Sequence, residues 1–139
     1  MDNALGILGL ARKAGRLEVG EEPVGAAARA KRARVIVIAS DAAENTVRRA
    51  RHFAEVGNCA IVITPYTKDE LGGITGRGSC AMAAVSEASL SYLFVKKLAD
   101  SDYESYGEAA DELKIKAERI EQRKREKRAH DKNIKKGKK

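Results

Sequence analysis

Few side chains in this 139-residue sequence have the chemistry of a catalytic group. Its two histidines are His52, on a predicted helix face rich in arginine, and His130, in a basic C-terminal region. Neither forms a recognisable catalytic motif with a cysteine or an acidic residue. The two cysteines, Cys59 and Cys80, are too few and too far apart for a zinc site or a disulfide framework. We therefore expect a protein that is not an enzyme, with no catalytic residues, no metal site and no cofactor.

Glycines gather between residues 72 and 78 in a predicted glycine-rich loop, and residues 76–81 (GRGSCA) fit the relaxed dinucleotide fingerprint G-x-G-x-x-A. That fingerprint binds pyrophosphate where it follows a strand and opens a helix, because the free N–H groups of the helix N-terminus attract the anion. Here the glycines follow a predicted short helix and lead into a predicted strand. The pattern therefore indicates either a flexible turn or a loop whose backbone approaches RNA closely, and both interpretations stay open.

The net charge of +7 is unevenly distributed along the chain. Residues 100–113 hold six acidic residues and no basic ones, whereas residues 114–139 hold 13 basic and four acidic residues. A basic run of this size is typical of an arm that binds a polyanion such as RNA, and the alternative is a solubilising extension without a specific partner. The scarcity of aromatic residues, six in all, argues against modules that stack several bases on aromatic side chains.

Apolar runs and helical periodicity alternate through residues 1–99. Capping-box spacing marks two helix starts, Asp41-x-x-Glu44 and Thr67-x-x-Glu70. Three continuous apolar runs are typical of strands, and we expect the first two to be buried on both faces of a sheet. The predicted strands are 35–39, 59–64 and 80–85. Because strands that alternate with helices are joined by right-handed crossovers, the pattern predicts a mostly parallel sheet.

Two regions follow from these patterns. We expect residues 1–99 to form an α/β domain whose core ends near Leu98, and residues 100–139 to form an acidic hinge and a basic C-terminal helix. That tail is predicted to be helical from about 104 to 130 and frayed over 135–139. Because no apolar run reaches membrane-spanning length and the N-terminus does not have the pattern of a signal peptide, we expect a cytoplasmic protein.

The strings LGLARKAGRL (residues 8–17) and GEE (residues 20–22) resemble the opening of bacterial members of the kink-turn-binding ribosomal protein family, which also includes the archaeal large-subunit kink-turn protein. Further matches are residues 32–35, 39–46 and 70–72, so the resemblance extends from residue 4 to about residue 98. It implies an α/β fold: a three-layer α/β/α sandwich around a small mixed, mostly parallel sheet. It also implies a short antiparallel strand near residues 17–19.

In this family three neighbouring pieces hold the RNA: the first turn of the second helix, the loop after the first long strand and the loop before the last strand. The resemblance implies three corresponding pieces here, with basic residues further along the second helix. The first piece is Gly20, Glu21 and Glu22; the second is Ser40, Asp41 and Ala42; the third is Arg77, Gly78, Ser79, Cys80 and Ala81; the basic residues are Arg29, Lys31 and Arg32. At the position of the lysine that contacts the RNA groove in the family, this chain has Ala26.

Resemblance and charge together predict a non-catalytic RNA-binding protein of ribosomal-protein type that recognises structured, kink-turn-like RNA. Its expected partner is rRNA or the ribosome, in a ribonucleoprotein, with no membrane partner and no small-molecule substrate. The alternative, prompted by Ala26, is a protein-interaction module on the same fold that has lost kink-turn specificity.

Overall fold

Six helices and four strands make up residues 3–137, the part of the chain that the computed structural model describes. In chain order they are α1 Asn3–Lys13, β1 Leu17–Val19, α2 Glu21–Arg29, β2 Val35–Ile38, α3 Glu44–Gly57, β3 Ala60–Ile63, α4 Lys68–Thr75, β4 Met82–Val85, α5 Ala88–Ser101 and α6 Tyr103–Gly137. The predicted alternation of helices and strands is confirmed, and so is the short strand at residues 17–19.

The four strands form one mixed sheet in the order β1-β4-β2-β3. β2 and β3 run parallel, while β4 is antiparallel to both β1 and β2. A small mixed sheet with a short strand at residues 17–19 that pairs antiparallel with its neighbour is therefore confirmed, although β4 is the strand that runs against the other three. The prediction that the sheet is mostly parallel is wrong, because one of its three strand pairings is parallel. The reason is that a continuous apolar run indicates a buried strand but not its direction. A central strand such as β4 is buried in either direction.

β3 was expected to be buried on both faces, and this prediction is also wrong because β3 is an edge strand. Its last residue, Ile63, keeps 43% of its surface exposed. The hydroxyl group of Tyr106 on α6 donates a hydrogen bond to the carbonyl oxygen of Ile63 at 2.6 Å. α6 thus lies beside the sheet edge and satisfies one of the backbone groups that an edge strand leaves unpaired.

Helices pack on both faces of the sheet. Successive residues of β2 point to opposite faces, as a strand requires: Val37 lies in a buried cluster with Phe94 of α5, and Ile36 lies in a second cluster with Val24 of α2. Both clusters contain residues of all three long strands or their neighbours, so the sheet separates two apolar cores.

Of the two predicted capping boxes, one is present. Thr67 Oγ1 accepts a hydrogen bond from Glu70 N at 3.2 Å, and Glu70 Oε1 accepts one from Thr67 N at 3.1 Å, which closes the box at the start of α4. α3 begins at Glu44 without a side-chain cap. The prediction for Asp41 is wrong because its Oδ1 accepts from Lys68 N instead, at 2.8 Å, and so serves the first turn of α4.

A single residue, Asp102, separates α5 from the long helix α6, which confirms the predicted helix at 104–130 with wider bounds. Ala110 and Leu113 are buried in the core cluster, so the core extends beyond Leu98. From residue 121 to residue 133 every side chain is exposed. The end expected to fray, 135–139, runs past the described residues, and the division at residue 99 stays a prediction.

Over residues 3–137, no helix combines the length and apolar character needed to cross a membrane.

Candidate nucleic-acid interface

Two backbone hydrogen bonds bring the three predicted RNA-binding pieces to one end of the sheet. Gly20 N donates to Met82 O at 2.9 Å, which joins the start of α2 to the segment that leads into β4. Ala39 N donates to Ala81 O at 3.0 Å, which joins the end of β2 to the same segment. The first and second pieces therefore both adjoin the third. We call this three-piece surface, residues 20–22, 40–42 and 77–81, the loop surface.

A small cavity of about 160 Å³ opens between the first and third pieces. This volume is smaller than the roughly 300 Å³ at which small-molecule pockets usually begin, so it suits one group of a larger ligand. Six of the predicted residues line it: Gly20, Glu21, Arg77, Ser79, Cys80 and Ala81. Thr46 of α3 also lines it, whereas residues 40–42 of the second piece do not.

The first turn of α2 presents its N-terminus at the loop surface. Gly20 precedes the helix with φ 97°, a conformation that L side chains rarely adopt, and it has no side chain with which to cap the helix. The first N–H groups of α2 therefore lack a side-chain acceptor there, and together with the helix dipole they favour an anion such as phosphate.

Glu21 adds a negative charge to this turn, and an arginine from α3 compensates it. Arg49 Nη1 donates to both carboxylate oxygens of Glu21, at 2.9 and 2.8 Å. Both side chains are substantially exposed, so the pair contributes about 0–1 kcal/mol to stability. Its electrostatic effect is local: Arg49 offsets the carboxylate beside the α2 N-terminus. Sequence reasoning missed Arg49 because it lies 28 residues from its partner and in no motif.

The second piece is attached to the start of α4. Ser40 N donates to Tyr66 O at 2.8 Å, and Asp41 holds the backbone of Lys68 as described above. The carboxylate of Asp41 is therefore engaged in fixing the loop, while the side chain of Ser40 remains exposed. In this arrangement Asp41 positions the second piece.

The third piece folds back over α4 at a glycine. A Cβ on Gly72 would lie 2.6 Å from Gly78 O and 2.7 Å from Arg77 O, so only glycine allows this approach. Arg77 N donates to Gly72 O at 3.0 Å and Cys80 N donates to Lys68 O at 3.0 Å, which fixes both ends of the loop. The predicted glycine-rich loop at 72–78 is therefore partly wrong: Gly72 lies inside α4, and the loop proper begins at its end.

Two side chains near this loop have defined environments. Arg12 Nη1 donates to Ile74 O at 3.3 Å, which places a positive charge at the C-terminal end of α4, where the helix dipole favours it. Burial raises the pKa of the Cys80 thiol, while a hydrogen bond with Thr75 and the charge of Arg77 oppose that rise. Cys80 is 3% exposed, so its side chain packs in the core, and we expect its exposed neighbours in the loop to contact a ligand.

The three predicted basic residues of the α2 region, Arg29, Lys31 and Arg32, lie in different surroundings. The side chain of Arg29 extends along α2 toward Gly25, with Nη1 3.2 Å from the position that a Cβ on Gly25 would take. Lys31 lies beyond the helix end, where Nζ donates to the carbonyl oxygen of Val56 near the end of α3. Lys31 is therefore not at the loop surface, and Arg32, just after it, is exposed. Ala26 is also exposed, about one helical turn after Glu22.

Among the described residues, no cluster of three or more His, Cys, Asp or Glu side chains is arranged to hold a metal ion.

The fold is that of a mixed α/β protein with a four-stranded sheet. Among solved structures, a protein of unknown function from Bacillus halodurans is similar to this chain, with a TM-score of 0.65 at 22% sequence identity. The match covers 70% of this chain and 98% of that one. At this level of identity the likeness concerns the fold. No protein-family model and no curated protein matches the chain.

Proposed function

We propose that this protein binds structured, kink-turn-like RNA through the loop surface, as a non-catalytic protein of ribosomal-protein type with rRNA as its expected partner. One observation carries the proposal: three segments that lie far apart in the sequence meet at one end of the sheet, around a helix N-terminus without a side-chain cap. Such an arrangement offers backbone donors and a fixed shape to RNA, which is how folded RNA is mostly read.

The proposal includes the finer architecture that the resemblance implies. In it, helices on both faces of the sheet form a three-layer α/β/α sandwich, and the C-terminal half of α6 serves as a basic tail. The two apolar clusters on opposite faces of β2 support the sandwich. The 13 basic and four acidic residues of 114–139 support the tail.

In this account the loop surface recognises shape and nearby cations supply affinity. The N-terminal turn of α2 meets a phosphate, and the loop at 77–81 lies against the RNA with the exposed Arg77 facing outward. Arg49 reduces the repulsion that Glu21 would exert on phosphate. Phosphate contacts of this kind position the RNA, while the fixed backbone of the loops selects its structure.

The experiment is an affinity titration with a kink-turn RNA and with a plain duplex of the same length. Arg77→Glu changes the loop surface, and Arg51→Glu, on an exposed position of α3 outside the three pieces, is its control with the same change in charge. One charge-assisted contact is worth about 1.5–3 kcal/mol, so Arg77→Glu should weaken kink-turn binding roughly 10- to 100-fold more than the control does.

Equal losses from the two variants would contradict the proposal, because binding would then depend on overall charge. Wild-type binding that shows no preference for the kink-turn would favour the alternative of a protein-interaction module. The exposed Ala26, in place of a lysine that contacts the RNA groove in the family, is the observation that favours this alternative.

A further inference from the structure

A second cleft lies at the opposite end of the sheet from the loop surface. Ala33 and Arg34, just before β2, line it, and so does Cys59, just before β3. β2 and β3 are parallel, so the cleft is at their N-terminal ends, whereas the loop surface is at the end where Ile38 pairs with Met82. The cleft has a volume of about 360 Å³ and is closed on one side by α6. We call it the basic cleft.

The basic cleft collects positive charge from three separate parts of the chain. Five cationic side chains line it: Lys31, Arg34, Lys116, Arg119 and Arg123. No acidic residue lines it, and none of the five forms an ion pair within the part of the chain that the structure describes. Cations brought together without acidic partners repel one another, so an anion between them would relieve an unfavourable arrangement.

Arg34 is the least exposed of these five cations. Its Nε is buried and has no hydrogen-bond partner among the described residues. A buried donor without an acceptor is unfavourable, and more so when the group is charged. A phosphate that entered the cleft would give the guanidinium group acceptor oxygens in the geometry that arginine binds best.

The positive surface continues from the basic cleft along α6. A second cavity of about 340 Å³ shares Arg34, Ile120 and Arg123 with the cleft and adds Lys124 and Lys127. Residues three or four apart share a helix face, so the α6 cations that line these two cavities form one stripe. They are Lys116, Arg119, Arg123, Lys124 and Lys127. At 1.5 Å per residue the stripe is about 16 Å long, or roughly five nucleotide steps of 3.4 Å along one strand.

We propose that the basic cleft and this stripe bind the phosphate backbone of RNA, as a second contact surface separate from the loop surface. The proposal rests on the proposed function for the identity of the polyanion. A compact phosphorylated molecule shares the chemistry of the ligand but would fill the cleft and leave the stripe unused. The length of the stripe therefore favours a polynucleotide.

The apolar part of the cleft strengthens the interaction. Ala33, Leu113 and Ile120 line it beside the cations, and contact with apolar atoms instead of water raises the strength of each charge interaction. Contacts of these cations with phosphate carry no sequence information, so we expect the surface to hold RNA irrespective of its sequence. Lys31, which the resemblance implied for the loop surface, belongs to this surface instead.

The test compares two double variants of the same helix. Lys116→Gln/Arg123→Gln removes two cations from the basic cleft, and Lys114→Gln/Arg125→Gln removes two exposed cations that line neither the basic cleft nor the second cavity. Both pairs change the net charge equally, and glutamine keeps a good helix propensity. The probes are a plain duplex RNA and a kink-turn RNA, each titrated at several salt concentrations with the full chain.

Each lost phosphate contact lowers the log–log salt slope by about 0.7–0.9, so the cleft pair should lower it by about 1.4–1.8 and weaken binding roughly 25- to 60-fold at 0.1 M salt. The control pair should leave the slope within about 0.5 of wild type. Both RNAs should lose affinity equally with the cleft pair. Equal effects of the two pairs would overturn the proposal.

Tripolyphosphate, as a compact probe, separates the two sources of phosphate. If the cleft pair abolished tripolyphosphate binding and left RNA binding unchanged, the polynucleotide assignment would be overturned. The two proposals can fail separately. Duplex RNA reports on the basic cleft, whereas the difference between Arg77→Glu and Arg51→Glu on kink-turn RNA reports on the loop surface.

Discussion

Replacement of Gly72 by alanine tests how the loop surface is built. A Cβ at this position would lie 2.6 Å from Gly78 O, so the loop would have to retreat by about 0.8 Å to reach an ordinary contact of 3.4 Å. Overpacking of this kind costs about 1–3 kcal/mol, while the better helix propensity of alanine returns about 1 kcal/mol. We expect Gly72→Ala to be neutral or to lower the free energy of unfolding by up to about 2 kcal/mol.

The matched control is Gly73→Ala, the next residue of the same helix. Nothing lies within 4 Å of a Cβ there, so the control should gain up to about 1 kcal/mol from helix propensity alone. The two variants should therefore differ by about 1–3 kcal/mol, or roughly 3–12 °C in the thermal midpoint. Thermal unfolding followed by circular dichroism measures the difference.

RNA binding separates a shift of the loop from a general loss of stability. Gly72→Ala keeps every charge, so it should weaken kink-turn binding without changing the salt slope, and it should affect duplex binding little. If Gly72→Ala were as stable as Gly73→Ala and bound kink-turn RNA like wild type, the packing of residues 77–78 on α4 and its role in binding would both be refuted.

Three further predictions concern single side chains. Ala26→Lys should tighten kink-turn binding roughly 10- to 100-fold and duplex binding far less, since it adds one charge-assisted contact; a titration that shows no selective gain would contradict this. Arg49→Ala should change the free energy of unfolding by less than about 1 kcal/mol but weaken RNA binding by exposing the Glu21 carboxylate, and unchanged affinity would refute the second part. Burial raises the pKa of the Cys59 thiol, and the charges of Lys116 and Lys31 oppose that rise. Lys116→Gln should therefore raise this pKa further and slow alkylation of Cys59 at pH 8, and an unchanged rate would show that the charge of Lys116 does not reach the thiol.

The sequence predicts those features that depend on neighbouring residues. The capping box of Thr67 and Glu70 is such a case, because both hydrogen bonds form within one helical turn. Asp41 has similar spacing to Glu44, yet its partner is the N–H group of Lys68, 27 residues away, and no local pattern encodes that choice. The apolar runs identified the strands because each run consists of neighbouring residues. Strand direction and the edge position of β3 depend instead on how the chain returns to the sheet.

The candidate sites divide in a similar way. The three pieces of the loop surface were predicted through the resemblance, which matches strings at residues 20–22 and 39–46 and implies residues 77–81 by position. The structure brings these three pieces together at one end of the sheet. The basic cleft could not be predicted, since Arg34 and Arg123 are far apart in the sequence and look like ordinary surface charges. Only the packing of α6 beside the start of β2 brings them together.

The most direct test of RNA binding through the loop surface is a map of backbone amide shifts by NMR as kink-turn RNA is added to the full chain. We predict that the largest shifts, apart from those at the basic cleft, occur at residues 20–22, 40–42 and 77–81. Plain duplex RNA should shift the basic cleft and leave these three segments unchanged. Kink-turn RNA that shifted only the exposed part of α6, or shifted the loop surface no more than the duplex does, would contradict the central claim.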